Sequence, residues 1–258
     1  MEQPLSYIHP DAKIAKGVEI GPFCTIHGNV EIGEGTVIMS NVTIMDGARI
    51  GRNCKIFPGA VISAVPQDLK FRGEDTVAIV GDNTVLRECV TVNRGTAAKA
   101  KTEVGSNCLI MAYSHIAHDC KIGNNVIISN ATQVAGEVEV DDFAVIGGGT
   151  LIHQFCRIGA HVMIQGGSLV NKDIPPYVKA GREPVSYCGL NTIGLRRRGF
   201  TDKQITTIQT VYKYIYMNGL IVSEAVKLAE AEIEQTAERD EILKFVKESE
   251  RGIIRSSV

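Results

Sequence analysis

An aliphatic residue recurs at every sixth position in the N-terminal part of the chain. Ten consecutive sixth positions are isoleucine: Ile8, Ile14, Ile20, Ile26, Ile32, Ile38, Ile44, Ile50, Ile56 and Ile62. An α-helix repeats every 3.6 residues and a β-strand every two, so neither produces this period. A strict period of six is typical of a hexapeptide β-helix, in which each hexad supplies one short strand and one corner. We therefore predict a mainly β chain in which three hexads, about 18 residues, close one triangular coil.

The six-residue period is interrupted twice, and we predict loop insertions at residues 65–79 and 97–103. Insertions into a solenoid form surface loops, which often carry binding residues. The first insertion contains Asp68, Lys70 and Arg72 together, which favours a functional role. The second insertion is short and basic and gives no specific indication by itself.

The period becomes helical in the C-terminal quarter of the chain. Residues Thr201–Gln204 have the sequence of a capping box, and apolar residues with helical spacing follow them. This first predicted helix ends at Asn218 and its following glycine. We expect a second helix capped by Ser223 and a third near Glu241–Glu248.

The two periods divide the chain into a repeat domain, residues 1–190, and a helical domain, residues 191–258, which can cap the open end of the solenoid. A formal net charge of −2 gives no case for a nucleic-acid partner. No run approaches the roughly 18 apolar residues of an integral membrane segment. Five of the seven cysteines occupy the small corner position of a hexad, which predicts buried thiols in a reducing cytoplasm: Cys24, Cys54, Cys108, Cys120 and Cys156.

The densest group of reactive side chains is SHIAHDC at 114–120. His118 occupies the third position of its hexad, away from the inward Ile116, and is predicted to face outward. An imidazole has an ordinary pKa of about 6.5, which suits a general base near neutral pH, and Asp119 could orient it. A coil of about 18 residues places Gly136 above His118, where a bare backbone N–H could stabilise an oxyanion.

A metal site is the alternative for the same histidines. His115, His118 and His153 could supply three zinc ligands, as in a carbonic-anhydrase-like hexapeptide trimer. Positions three apart on an extended coil do not converge easily, so we rank metal binding second to acid–base catalysis.

The one basic run of the chain is Leu195–Gly199, which contains three consecutive arginines. Guanidinium groups bind phosphate through paired hydrogen bonds. Because the overall charge is close to neutral, a diphosphate ligand fits this run better than a nucleic-acid polymer does.

Six longer motifs carry a resemblance to a known family: PQDLKF at 66–71, NRGT at 93–96, HIAHDC at 115–120, HQFCRIGAHVM at 153–163, DIPPYV at 173–178 and LRRRGF at 195–200. With them, essentially the whole chain resembles the acyl-ACP–UDP-N-acetylglucosamine O-acyltransferases of lipid A biosynthesis, in particular the Bacteroides-type branch. The resemblance implies a left-handed parallel β-helix with a small C-terminal α-helical domain. The usual preference for right-handed crossovers does not predict that handedness. A cytoplasmic homotrimer with active sites between neighbouring subunits is also implied.

The resemblance further implies that a 3-hydroxyacyl group passes from acyl carrier protein to the 3-hydroxyl of UDP-N-acetylglucosamine. His118 would be the general base, Asp119 would support it, and the N–H of Gly136 would hold the oxyanion. The remaining matched positions are expected to bind substrate: Asp68, Lys70, His115, His153 and Gln154 around the cleft, Gly166 where acyl length is measured, and Asn191, Arg197 and Arg198 at the nucleotide end.

No metal or soluble cofactor is expected, because the thioester donor is already activated. Three positions depart from well-known members: Asn93 and Glu137 stand where these carry histidine, and Ile193 stands where they carry an acidic residue. Since some relatives use a 3-amino sugar nucleotide, N-acylation of such an acceptor remains open as an alternative.

Overall fold

The computed structural model describes residues 5–256, and short parallel strands dominate it. Each coil contributes one strand to each of three sheets, which contain 9, 8 and 11 strands within the described range. Paired residues are 18 positions apart through most of the repeat, as in Ile8 with Ile26 and Ile116 with Val134. The predicted β-helix with three hexads per coil is therefore confirmed.

Most strands of the coils are two residues long. The first four coils contain β1 (Tyr7–Ile8), β2 (Lys13–Ile14), β3 (Glu19–Ile20), β4 (Thr25–Ile26), β5 (Glu31–Ile32), β6 (Val37–Ile38), β7 (Thr43–Ile44), β8 (Ala48–Ile50), β9 (Lys55–Ile56), β10 (Val61–Ala64), β11 (Val77–Val80) and β12 (Val85–Leu86). The later coils contain β13 (Thr91–Asn93), β14 (Lys101–Val104), β15 (Leu109–Ile110), β16 (His115–Ile116), β17 (Lys121–Ile122), β18 (Ile127–Ile128), β19 (Gln133–Val134), β20 (Glu139–Val140), β21 (Val145–Ile146), β22 (Leu151–Ile152), β23 (Arg157–Ile158), β24 (Met163–Ile164) and β25 (Leu169–Val170).

The second residue of each short strand points into the coil and the first points out. In β9, for example, Ile56 is completely buried whereas Lys55 is exposed. Because the register is constant, Ile56 stacks directly on Ile38 below and Leu86 above. Such columns of aliphatic side chains form the core, and no hexad could bury its apolar residue alone. The five hexad cysteines are buried beside these columns and carry no disulfide, as predicted.

The two insertions lengthen single coils without disturbing the stack. Ile62 pairs with Val92, and Val92 pairs with Ile116, so the separation between partners rises to 30 and then 24 residues before it returns to 18. The strands on both sides of each insertion remain in register, because the inward aliphatic residues must still meet.

The insertions themselves are displaced from their predicted bounds. Their strand-free segments are residues 65–76 and 94–100. Both predicted insertions run three residues too far at their C-terminal ends, and the second starts three residues too late. The reason is that Ala78 and Thr102 are buried and extend β11 and β14 ahead of the hexad position.

The C-terminal part adds a strand hairpin, four helices and a final strand. They are β26 (Val178–Gly181), β27 (Ser186–Leu190), α1 (Thr192–Arg197), α2 (Asp202–Met217), α3 (Val222–Glu232), α4 (Ala237–Lys247) and β28 (Arg255–Ser256). β28 pairs with β27 at the end of the third sheet, so the helical segment returns to the solenoid. The outer bounds of the two predicted domains, residues 1 and 258, lie outside the described residues.

The helix predictions have mixed outcomes. The capping box is confirmed, because the Thr201 hydroxyl accepts from the N–H of Gln204 and the Gln204 side chain accepts from the N–H of Thr201. The cap at Ser223 is wrong: α3 begins at Val222, its N-cap is Ile221, and no side chain caps it. Helix α4 begins four residues before the predicted start, and α1 was not predicted. None of the helices between residues 5 and 256 is long and apolar enough to cross a membrane.

The stacked columns give a stability prediction. Ile56→Ala leaves a cavity between Ile38 and Leu86 and is expected to lower the free energy of unfolding by about 2–5 kcal/mol. Lys55→Ala on the same strand is the control, because an exposed side chain usually changes that free energy by less than about 0.5 kcal/mol. Urea denaturation measures both variants, and equal effects would contradict the assignment of the core.

Candidate active site

His118 and Asp119 lie at the corner that follows β16. The side chain of His118 is 18 % exposed, whereas that of Asp119 is completely buried. Asp119 has a φ of 61°, in the left-handed region, and so do the corresponding residues of other corners, such as Asn125 and Glu137. The corner therefore turns two adjacent side chains in different directions, one toward solvent and one under the second insertion.

The Asp119 carboxylate is surrounded by hydrogen-bond donors. Its Oδ1 accepts from the backbone N–H groups of Thr96 (2.9 Å) and Lys99 (3.2 Å). Its Oδ2 accepts from the Thr96 hydroxyl (2.6 Å) and lies 2.8 Å from Nδ1 of His118. The backbone N–H of Asp119 donates to the Thr102 hydroxyl (2.8 Å). A buried carboxylate is costly unless it is paired in this way.

These contacts fix the protonation of the pair. Burial alone would raise the pKa of Asp119, but hydrogen bonds from Thr96, His118 and the backbone of Lys99 bring that pKa below its ordinary value. An ionised carboxylate only accepts hydrogen bonds, so the proton of a neutral His118 resides on Nδ1. Nε2 is then the nitrogen that is free to take a proton.

Gly136 packs directly against the His118 ring from the next coil. A Cβ at Gly136 would lie 2.6 Å from Cε1 and 2.7 Å from Nε2 of His118, so only glycine leaves room for the imidazole. Within residues 5–256 the N–H of Gly136 has no hydrogen-bond acceptor. The residue that packs on the histidine ring thus has a backbone N–H without a hydrogen-bond partner in the described part of the chain.

The first insertion approaches the imidazole from the side opposite to Asp119. Oδ2 of Asp68 lies 4.0 Å from Nε2 of His118, a distance too long for a hydrogen bond. Oδ1 of Asp68 accepts from the backbone N–H of Lys70 (2.9 Å), while the Lys70 side chain is exposed. Asp68 therefore lies close to Nε2 of His118 without a hydrogen bond to it.

The last residue of β13 and the residue that follows it anchor this insertion. Nδ2 of Asn93 donates to the carbonyl of Val65 (3.2 Å), and Asn93 is 2 % exposed. The Arg94 guanidinium lies 5.4 Å from the centre of the Phe71 ring. Asn93, which departs from the family pattern, thus holds the start of the insertion by its side-chain amide.

A cavity of about 570 Å³ extends from this corner across the first sheet. Five of the predicted site residues line it, namely His115, His118, Gly136, His153 and Gln154. Sequence reasoning did not identify the other lining side chains, among them Gln67, Gln133, Leu151 and Leu169. The coil register is the signal that would have found three of them, because residues 133, 151 and 169 follow His115 at steps of 18.

His115 and His153 both line the cavity, but their Nδ1 atoms have different hydrogen-bond neighbours. Nδ1 of His115 lies 2.7 Å from the Thr91 hydroxyl on the neighbouring strand. Burial, and next the proximity of His118, lower the pKa of His115, so its imidazole is neutral at pH 7. Nδ1 of His153 lies 3.1 Å from the carbonyl of Gln154, and both side chains are exposed.

The remaining predicted site residues lie apart from this cavity in a single chain. Asn191 caps α1, accepting from the N–H of Gly194 and donating to the carbonyl of His161 (2.9 Å). Arg197 is exposed, whereas the Arg198 guanidinium lies 5.4 Å from the centre of the Phe143 ring, and burial lowers its pKa. The structure does not bring these residues to the His118 cavity within one chain.

Gly166 and His161 lie on other corners of the coil. The backbone of Gly166 packs on Gly148 of the preceding coil, so this edge carries no side chain at either position. His161 stacks between the rings of Phe143 and Tyr177, and burial, then Arg198, lower its pKa to about 4. His161 is thus a neutral packing residue, for which the sequence predicted no role.

The alternative of a metal centre finds no support in the side-chain geometry. Between residues 5 and 256, no three His, Cys, Asp or Glu side chains are grouped so that they could hold a metal ion. His115, His118 and His153 therefore do not form a ligand set within the chain, and Nδ1 of His118 already faces Asp119.

Sequence families match most of the chain. The family described as UDP N-acetylglucosamine O-acyltransferase, domain 2, matches residues 173–254. The bacterial transferase hexapeptide family matches residues 101–136, and the family described as the GMPPB C-terminal domain matches residues 3–102.

The relatives that match almost the whole chain are UDP-N-acetylglucosamine acyltransferases. An acyl-ACP–UDP-N-acetylglucosamine O-acyltransferase of Chlorobaculum parvum is 58 % identical over 255 residues, which cover 96 % of this chain and 97 % of the relative. The crystal structure of a UDP-N-acetylglucosamine acyltransferase from Bacteroides fragilis is 55 % identical, with a TM-score of 0.97 over 99 % of this chain and 100 % of its own. The Francisella novicida structure is 41 % identical, with a TM-score of 0.96 over 100 % and 95 %. The predicted fold class, a left-handed parallel β-helix with a C-terminal helical domain, is confirmed.

The buried carboxylate gives a prediction about pH and stability. Because the folded-state pKa of Asp119 is lowered, its ionised form stabilises the fold fully above an ordinary pKa of about 4, and this contribution is lost as the pH falls through the lower value. Asp119→Asn is therefore expected to lower Tm at pH 7, with a difference from wild type that shrinks as the pH falls from 5 to 3. Thermal denaturation across this range measures the effect, with Asp11→Asn at an exposed site as the control. A difference that stays constant with pH would contradict the assignment.

Proposed function

The chain belongs to the family of acyl-ACP–UDP-N-acetylglucosamine O-acyltransferases, and from that premise we propose how its own residues carry out the transfer. The reaction moves a 3-hydroxyacyl group from acyl carrier protein to the 3-hydroxyl of UDP-N-acetylglucosamine, the first step of lipid A biosynthesis. The observation that carries the proposal is the His118 imidazole, which is held by Asp119 on one side and packs on Gly136 on the other.

His118 is the general base of this proposal. Nε2 takes the proton of the sugar 3-hydroxyl while that oxygen attacks the thioester carbonyl of the donor. Asp119 stabilises the imidazolium that forms, and the proton then passes to the leaving thiolate of the carrier protein. A positioned general base contributes about 10²–10⁴-fold to the rate.

Gly136 supplies the oxyanion donor. As the hydroxyl attacks, negative charge develops on the thioester oxygen, and a backbone N–H aimed at that oxygen stabilises the tetrahedral intermediate. Among the described residues the N–H of Gly136 has no acceptor, and Gly136 packs directly on the ring of His118. The base thus activates the attacking hydroxyl, and the N–H stabilises the oxygen of the carbonyl that this hydroxyl attacks.

The cavity around His118 suits the acyl donor and the sugar. Leu151 and Leu169 are about half exposed on its floor and offer apolar contact to the acyl chain. We assign His115, His153 and Gln154 to the sugar side because their side chains are polar and line the same cavity. Asp68 and Lys70 contact the hydroxyacyl end from the first insertion, and the bare edge at Gly166 leaves room for a long chain.

The position of the residues assigned to nucleotide binding is the reason to propose a homotrimer. Asn191, Arg197 and Arg198 do not reach the His118 cavity of their own chain, although guanidinium groups suit the diphosphate of the acceptor. An active site between neighbouring copies brings the two sets together. We further propose a cytoplasmic enzyme without metal or soluble cofactor, because the thioester supplies the activation.

A direct test replaces the base. His118→Ala is expected to lower kcat by about 10²–10⁴-fold with 3-hydroxyacyl-ACP and UDP-N-acetylglucosamine, while the protein still folds. Mass spectrometry follows the product, which should be an alkali-labile ester.

His27→Ala is the matched control, because His27 also lies beside a carboxylate, that of Asp46, but belongs to the N-terminal coils and does not line the cavity. It should keep wild-type kcat. Near-wild-type turnover by His118→Ala would contradict the base assignment, and an alkali-stable amide would point to the 3-amino acceptor instead.

A further inference from the structure

We propose that the second insertion, residues 94–100, positions the catalytic histidine, and that Thr96 is the residue through which it acts. The inference rests on the proposed role of His118 as the base. Thr96 does not face the cavity, so it is a positioning residue that acts through Asp119.

Thr96 holds both oxygens of the Asp119 carboxylate. Its backbone N–H donates to Oδ1 at 2.9 Å, and its hydroxyl donates to Oδ2 at 2.6 Å. Two donors from one residue fix the rotation of the carboxylate about its Cβ–Cγ bond. Oδ2 is the oxygen that faces Nδ1 of His118 at 2.8 Å, so the plane that Thr96 sets determines where that oxygen points.

The direction of the Thr96 hydroxyl is itself fixed. The N–H of Ala98 donates to this hydroxyl at 3.2 Å, so the single hydroxyl proton is available for Asp119. The N–H of Ala100 donates to the carbonyl of Thr96, and the N–H of Gly95 donates to the carbonyl of Val77. The insertion is therefore a rigid turn tied to strand β11 and not a loose surface loop.

Other corners of the solenoid show what the insertion adds. His9 also packs over a glycine, since a Cβ at Gly28 would lie 2.9 Å from its Nδ1. The carboxylate near His9 belongs to Asp11, which is 82 % exposed. Both corners place a histidine over a glycine, but of the two only the corner covered by the second insertion has a buried and oriented carboxylate beside the histidine.

Among the described residues, three titratable groups face His118, and the insertion controls one of them. Asp119 lies at Nδ1, Asp68 lies 4.0 Å from Nε2, and His115 precedes His118 on the same coil. Without the Thr96 hydroxyl, Oδ2 of Asp119 has one donor fewer and holds the imidazolium proton more strongly. The carboxylate also becomes free to rotate, which misaligns the imidazole.

The test compares Thr96→Val with Thr96→Ser by steady-state kinetics across pH, using 3-hydroxyacyl-ACP and UDP-N-acetylglucosamine. Thr96→Val keeps the backbone N–H and the branched shape but loses the hydroxyl. Its kcat is expected to fall about tenfold, the loss that follows removal of one hydrogen bond to a charged group, while KM stays within roughly twofold. The acidic limb of log kcat/KM should move to higher pH, and Thr96→Ser should restore most of the rate.

Thr36→Val is the matched control for the loss of a buried hydroxyl. Thr36 is completely buried in the N-terminal coils, donates to the carbonyl of Gly51 and accepts from the N–H of Cys54. It should lower Tm without moving the pH profile or kcat.

Two results would overturn the inference. One is wild-type kcat and an unmoved acidic limb in Thr96→Val. The other is an equal loss in Thr96→Val and Thr36→Val with unmoved limbs, which would make Thr96 merely structural. A wild-type enzyme that fails to acylate UDP-N-acetylglucosamine at all would contradict the proposed function, and this inference with it.

Discussion

The stacking of one inward aliphatic residue on its counterpart 18 positions away is the constraint on which the structure depends. It makes each coil a copy of the coil below, at the strand spacing of about 4.8 Å. A residue at a corner therefore lies one strand spacing from the residue that occupies the same corner position in the next coil. The approach of Gly136 to the ring of His118 is a direct result of this register. A rigid ladder of Ile, Val and Leu thus positions two groups without any flexible loop.

The two insertions add what a plain repeat cannot supply. A corner of the repeat can present a histidine, but a completely buried carboxylate needs several donors that the regular coil does not have. The second insertion provides three of them, two from Thr96 and one from Lys99, and so keeps Asp119 ionised beside His118. The first insertion brings Asp68 to the opposite side of the imidazole. The catalytic corner is therefore where regular stacking and irregular loops meet.

The repeat explains how much of this arrangement could be predicted from sequence. The coil, the buried cysteines and the placement of Gly136 over His118 follow from counting in sixes and eighteens. The paths of the insertions do not, because their turns depend on contacts with distant strands, such as Gly95 with Val77. Ser223 failed as a cap because α3 already begins at Val222, which places Ser223 inside its first turn. The role of Thr96 could not be predicted, because the sequence of a short basic loop does not show which of its N–H and hydroxyl groups will bind a carboxylate.

The measurement that most directly tests the account is the tautomer of His118, read by NMR on protein labelled with ¹⁵N-histidine. The chain has six histidines, and comparison with His118→Gln assigns the signal of interest. The account predicts that, at a pH where the enzyme is fully active, Nδ1 of His118 carries the proton toward Asp119 and Nε2 carries none. A proton on Nε2 with a bare Nδ1 would contradict it, because the nitrogen beside Gly136 could not then act as the base.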